Sequence, residues 1–441
     1  MPLVMKTHFP GIVCLLLLTI CMGLGKVKMA AQDCLPEGII FDSQAGIDAF
    51  ANDHPGCTTI LGDVIIQEST PGNIKNLNGL SVLTAFGDYL EIHDNEALTD
   101  LTGLGNIETI AGGLNIFGNP GLEKLTGLEK LNFIGGSLRI ALNHQLRSIE
   151  ALNELQTVVE DLTVSDNLLL SSLFGLHKVD TIGGYLLILT SGELTNLRGL
   201  DALRGIGKGL LIESNEKLID LRGLDKVTSI GGNCIIVNNQ SLRSLDGLNA
   251  VTAIDGKLQV ALNPFLEDLV ALKKLKSIRG LLQIYANVGL KSLSGLENID
   301  AAGIEDLAIL ASDILTVCHV QSICDYLGLS ANQASISMNG NGCNVRSQIL
   351  ERCQRRGTGG RPAPPKDPVF FPNPTSGLVT IDAETLADAA TYEVADALGR
   401  ILLEGALEGK QFDLSELAAG IYFVKIKTEE LELLRKIVKV N

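Results

Sequence analysis

The sequence predicts a mainly β protein: a right-handed parallel leucine-rich β-solenoid of about eleven 24-residue turns with disulfide caps, followed by a small C-terminal β-sandwich. Three observations carry that expectation. One asparagine recurs every 24 residues with no insertion, the cysteines cluster at the two ends of the repeat array, and beyond a Gly- and Pro-rich stretch the pattern changes to short alternating strands. Composition agrees, since aromatics make up 4% of the 441 residues and Trp is absent. Ordinary cores use aromatics to fill irregular space, whereas stacked near-identical turns fill with repeated aliphatics.

Residues 1–31 read as a signal peptide. Lys6 and His8 form a modest basic start, and the apolar run Gly11–Leu24 is too short to span a bilayer comfortably. The small residues Ala30 and Ala31 then precede the first polar segment. No later run approaches the ~18 apolar residues of a spanning helix, so the mature chain is expected to lack a transmembrane segment.

Residues 32–353 are assigned to the solenoid and its end caps. Cys34 and Cys57 lie just ahead of the repeats, and Cys318, Cys324, Cys343 and Cys353 just after them. Export permits disulfides, so these six are expected to staple the ends, with the pairing of the last four left open among three possibilities. Zinc suits the spacing poorly because no CxxC pair is present. Cys234, alone within the array, aligns with inward Leu138 and is expected to be a free, buried, unreactive thiol.

The array itself aligns on Asn95, Asn119, Asn143, Asn167, Ser191, Asn215, Asn239, Asn263 and Asn287, with weaker turns near Ser69 and Ser312. Leu138 and Ile140 are two apart and point to the same side of a short strand, the inside. Gly135 and Gly136 are expected to relax the backbone at the turn into that strand. Asn143 ends the strand, and its amide both donates and accepts, so stacked copies are expected to bond neighbouring backbones as a ladder. Leu146, Ile149 and Leu152 recur every three residues, which suits 3₁₀-like or irregular coil on the remaining sides. Rungs about 4.8 Å apart make a rod roughly 50 Å long. One turn cannot bury its own apolar face, so the ends must be capped.

These units resemble the receptor L domain, a leucine-rich-repeat relative found in growth-factor receptor ectodomains. The resemblance rests on L-x-x-I-x-G-x-L-x-I followed by N-x-x-L-x-x-L, over about residues 57 to 312, and on Cys57 preceding Ile60-Leu61-Gly62-Asp63-Val64-Ile65-Ile66. The array is longer and more strictly periodic than receptor L domains, so the resemblance implies the fold and carries over no ligand-binding residues.

Residues 354–368 (QRRGTGGRPAPPKDP) form a linker, and residues 369–441 a second module. Its blocks are Phe370-Phe371-Pro372-Asn373-Pro374-Thr375-Ser376-Gly377, a stretch around Asp396 and Gly399-Arg400, Phe412–Ile426, and a basic terminal strand at Arg435–Lys439. Together they are similar to the type A sorting domain of the type IX secretion system. That resemblance implies a small β-sandwich read by the type IX machinery, passage across the outer membrane, removal of the tail, and attachment to the cell surface.

Signs of chemistry are absent. No GxSxG, HExxH, Walker or Rossmann pattern occurs, and no catalytic residue, metal or cofactor is expected. The net charge of −16 argues against nucleic acid. His93 and His144 flank the asparagine row and are expected as solvent-exposed turn residues. A polysaccharide-active enzyme needs carboxylates within about 5–10 Å of each other. Among the eighteen outward strand positions the only carboxylates are Glu91 and Glu213, five rungs or about 24 Å apart. The same positions hold Leu187, Leu189, Leu211, Ile235 and Val237 on three consecutive rungs, flanked by Phe117 and Tyr285. Contiguous outward apolar area marks a partner site. The expectation is a non-enzymatic, secreted, surface-anchored binding or adhesion scaffold that recognises an unidentified protein or glycan through its sheet face. A structural or self-assembling surface-layer protein is the second reading, and a polysaccharide-active β-helix enzyme the third.

Overall fold

Alternation of side chains organises each turn. In the strand Leu138–Ala141, Leu138 and Ile140 are fully buried while Arg139 between them is half-buried. The computed structural model describes residues 32–356 and 369–440, except 372, 374, 383–389, 397–399, 408–409 and 428–431. The signal segment and most of the linker therefore lie outside the described residues. Leu138 pairs in parallel with Leu114 before it and Leu162 after it, so like positions stack into continuous columns. The result is a parallel β-solenoid whose broad sheet has thirteen strands. The count exceeds the eleven expected because the caps add rungs that do not share the 24-residue period: Ile39 pairs with Val64, and Leu307 with Ala334.

A second, narrow sheet of eleven short strands runs along another side of the rod. It is built largely from residue pairs such as Thr109–Ile110, with Ile110 buried. The expected irregular coil gives way to strand on this side, because a two-residue strand is too short to show alternation in the sequence. The remaining sides are turns. Glycines there, for example Gly175 at φ 125°, take a conformation that L residues avoid. A 3₁₀ turn stands at this place where alanine replaces the glycine, Glu150–Leu152 and Val270–Leu272, and also around Gly79, in Asn78–Leu80.

The glycines ahead of the broad-sheet strands serve a different need from the one expected. Gly135 does not have positive φ. A Cβ there would lie 2.0 Å from the Ala111 carbonyl oxygen, so close stacking of turns selects glycine at this site, not conformational freedom.

Both ends of the rod are closed. At the start, helix α1 (Gln44–Asp53), capped by Ser43 Oγ accepting from the Gly46 N–H, seals the first turn with buried Ile47 and Phe50. Cys34 is disulfide-bonded to Cys57 beside it. At the far end lie helices α2 (Gln321–Gly328) and α3 (Arg346–Arg356), the latter running into the first residues of the stretch read as linker. The pairing left open is Cys318–Cys343 and Cys324–Cys353. Buried Tyr326 of α2 donates its hydroxyl to the Gln333 carbonyl at 2.6 Å. Among the described residues no helix is long and apolar enough to cross a membrane.

The C-terminal module holds a three-stranded and a four-stranded antiparallel sheet. Val379, Ile381 and Phe412 from one, and Val394, Val424, Ile426 and Ile437 from the other, share a single core.

Candidate binding face

The corner after each broad-sheet strand sets the plane of the face. Asn95, Asn119, Asn143, Asn167, Asn215, Asn239, Asn263 and Asn287 are all buried there. A buried amide needs partners at both its ends, and the neighbouring turn supplies them. Asn143 Oδ1 accepts from the Asn119 backbone N–H at 3.1 Å, and its Nδ2 donates to the Ile116 carbonyl at 2.9 Å. At the N-terminal end Glu68 completes the column. Its N–H donates to Asn95 Oδ1, and its carboxylate accepts from the N–H groups of Gly72, Ile74 and Glu96. Burial pushes this carboxyl up, but those N–H groups outweigh it and hold Glu68 below its ordinary value. Ser191 interrupts the ladder. Its Oγ turns back to the Leu189 carbonyl, and among the described residues the Asn167 N–H has no acceptor.

Immediately before each asparagine the backbone is left-handed. Leu142 has φ 57°, Thr190 46° and Leu262 57°, and only Gly118 supplies a glycine to this column between Asp94 and Ala311. Left-handed geometry costs an ordinary residue about 1–2 kcal/mol, which stacking overrides at every rung. As a consequence Leu142 and Leu262 are thrust into solvent, 41% and 43% exposed.

Outward side chains of the broad sheet form columns with the same register. Leu187, Leu211 and Ile235 are direct neighbours in one column. In the next, Glu213 stands between Leu189 and Val237. All five apolar residues are half-buried by their ladder neighbours. Phe117 and Tyr285 do not join them, because Ala141 and Ser165 separate Phe117 from Leu189, and Ala261 separates Val237 from Tyr285. Tyr285 instead accepts a hydrogen bond from Gln259 Nε2 at 2.8 Å.

Phe117 belongs to a polar and aromatic cluster at the N-terminal part of the face. His93 stacks on it at 4.6 Å, and the Arg139 guanidinium lies 4.9 Å from its ring centre. His93 is therefore the last residue of the strand Leu90–His93 and half-buried, which corrects its reading as an exposed turn residue; the stacking on Phe117 draws it onto the sheet. His144 is exposed, its Nδ1 bonded to the Asp166 carbonyl. His93 also shares a hydrogen bond with Asp94 at 3.0 Å and lies 4.0 Å from Glu91. Asn115 links Glu91 to Arg139. Cys234 sits in the inward column between Leu210 and Leu258, and burial pushes its thiol up to about 12.

The sequence reading also passed over Tyr89 and Tyr185, one column closer to the strand entry, which are 44% and 42% exposed. The available signal was a glycine one full turn after each tyrosine, at Gly113 and Gly209.

Comparison with protein families matches residues 56–153 to the Receptor L domain and residues 369–440 to the Secretion system C-terminal sorting domain. The first match covers the turns that carry Tyr89, His93, Phe117 and Arg139, and the second covers the two antiparallel sheets. A sorting domain of this kind, read by the type IX machinery, indicates secretion across the outer membrane. No curated protein matches the chain.

Proposed function

We propose that the mature protein is a non-enzymatic binding scaffold held at the cell surface, with the outward face of the broad sheet as its recognition surface. The observation that carries this reading is the Leu187–Leu211–Ile235 column with Leu189 and Val237 beside it. Burial of their inward neighbours does not require these five to be apolar, and a solvated strand face ordinarily alternates to polar residues. A carboxylate pair suited to glycoside hydrolysis does not sit on this stripe, since Glu213 lies about five rungs, or about 24 Å, from Glu91. The sorting domain supports export, and retention on the surface is the part proposed.

Two measurements test the reading. The double variant Leu189→Asp/Val237→Asp keeps the wild-type circular dichroism and loses binding, by at least tenfold, to ligands found by screening the purified protein on arrays of surface glycans and surface proteins. Binding that survives the double variant removes the stripe from the function. Ordered self-assembly of the wild-type protein without ligand binding turns the reading toward a surface-layer role. For display, intact cells bind antibody against the solenoid, and deletion of residues 369–441 abolishes the signal.

A further inference from the structure

Tyr89 and Tyr185 stand in the same outward column, four turns apart, or about 19 Å. Each ring lies over the glycine of the following turn. A Cβ on Gly113 would come within 2.6 Å of Tyr89 Cε1, and one on Gly209 within 3.1 Å of Tyr185 Cε1. Glycine is what lets a tyrosine ring lie down on the sheet instead of standing away from it. With one face against the backbone, each ring still leaves over two-fifths of its residue exposed. The fixed rings thus present flat apolar surfaces at little entropic cost, that of Tyr185 with the Lys208 ammonium 5.6 Å from its centre.

Between the rings the column holds Gly113, Ser137 and Asp161, all small or short. The adjoining column contributes Asn115, Arg139 and Thr163, each half-buried with a polar end. The surface is therefore a shallow polar trough with an aromatic platform at each end. The aliphatic stripe begins at the Tyr185 strand, on its far side from Tyr89.

Resting on the reading of this face as a recognition surface, we propose that the Tyr89–Tyr185 trough binds an extended, uncharged polysaccharide. A sugar ring has a face of C–H bonds and a rim of hydroxyls. The C–H face suits the electron-rich face of an aromatic ring, and the hydroxyl rim suits the amide, guanidinium, carboxylate and hydroxyl groups between the platforms. A chain several sugars long reaches both rings. A protein partner needs a desolvated apolar centre, which the trough lacks. The net charge of −16, with Glu91, Asp94, Glu160 and Asp161 near the trough outnumbering Arg139 and Lys208, disfavours polyanionic glycans.

The test is affinity electrophoresis of the full mature protein in native gels containing mixed-linkage β-glucan, galactomannan, xylan or amylopectin, with polygalacturonate as the charged control. At least one neutral polymer is expected to retard the wild type, and polygalacturonate is not. Tyr89→Ala and Tyr185→Ala each weaken binding about tenfold, equivalent to about 1.4 kcal/mol per platform. Tyr89→Phe and Tyr185→Phe retain it, with thermal midpoints unchanged in all four variants. Retardation by none of the neutral polymers overturns the proposal, as does retardation undiminished in the double alanine variant. Ligand capture that depends on Leu189 and Val237 but not on the tyrosines overturns this inference while leaving the sheet-face reading intact. Loss of all capture by neither pair of variants removes both.

Discussion

The inward and outward columns of the broad sheet run along the same strands and obey different rules. Inward, Leu114, Leu138, Leu162, Leu186, Leu210, Cys234, Leu258 and Leu282 succeed one another almost unchanged, all buried. Outward, the adjoining column reads Glu91, Asn115, Arg139, Thr163, Leu187, Leu211, Ile235, Gln259 and Gln283. Each inward side chain meets the same neighbours above and below, so one shape solves every rung. An outward side chain answers mainly to solvent or a ligand, so its chemistry is free to change along the rod. Here it is zoned: polar and aromatic first, aliphatic in the middle, then Gln259 bonded to Tyr285.

The sharpest way to break the contrast is at the buried corner. Asn143→Ala leaves the buried Asn119 N–H without its acceptor and takes from the Ile116 carbonyl one of its donors. A stranded buried group costs about 1–3 kcal/mol, so a loss of roughly 2 kcal/mol in denaturant unfolding is expected. The inward column offers a pH test through Cys234. Burial pushes its folded thiol up to about 12 from an ordinary 9.0, so the unfolded chain releases the proton first. The native contribution is complete below pH 9 and is lost as pH rises from about 9 to 12, at up to about 1.4 kcal/mol per pH unit. Stability measured over that range falls more steeply for the wild type than for Cys234→Ala. Repair of the ladder is the third measurement. Ser191→Asn gives the Asn167 N–H an acceptor and raises stability by about 1 kcal/mol; no gain in the unfolding midpoint counts against the ladder as a source of stability. The smallest effect is outward: Thr163→Ala changes unfolding by no more than about 0.5 kcal/mol, and a larger loss erases the distinction between the two columns.

Legibility in the sequence follows the same division. The period, the inward set and the corner asparagines were readable because burial repeats at a constant 24-residue spacing, and Cys234 could be placed by its alignment with Leu138. The narrow sheet was not, since Thr109–Ile110 is too short to announce a strand. Nor was the grouping of His93 with Phe117 and Arg139, which joins residues on three successive turns through ring contacts that no local pattern encodes. Tyr89 and Tyr185 were within reach, because the glycines at Gly113 and Gly209 follow them by one turn, but only by scanning one column beyond the strand centre.

Repetition is a property of the chain, and it dictated that turns stack, which residues go inside, and that the ends need closure. Which cysteines join at the C-terminal cap, and why Leu142 and Thr190 accept left-handed backbone, depended on the folded stack. A local preference of about 1–2 kcal/mol per residue is outweighed when a misplaced corner would break the hydrogen bonds of two adjoining turns. That balance exists only between neighbours in space, so no single 24-residue unit contains it.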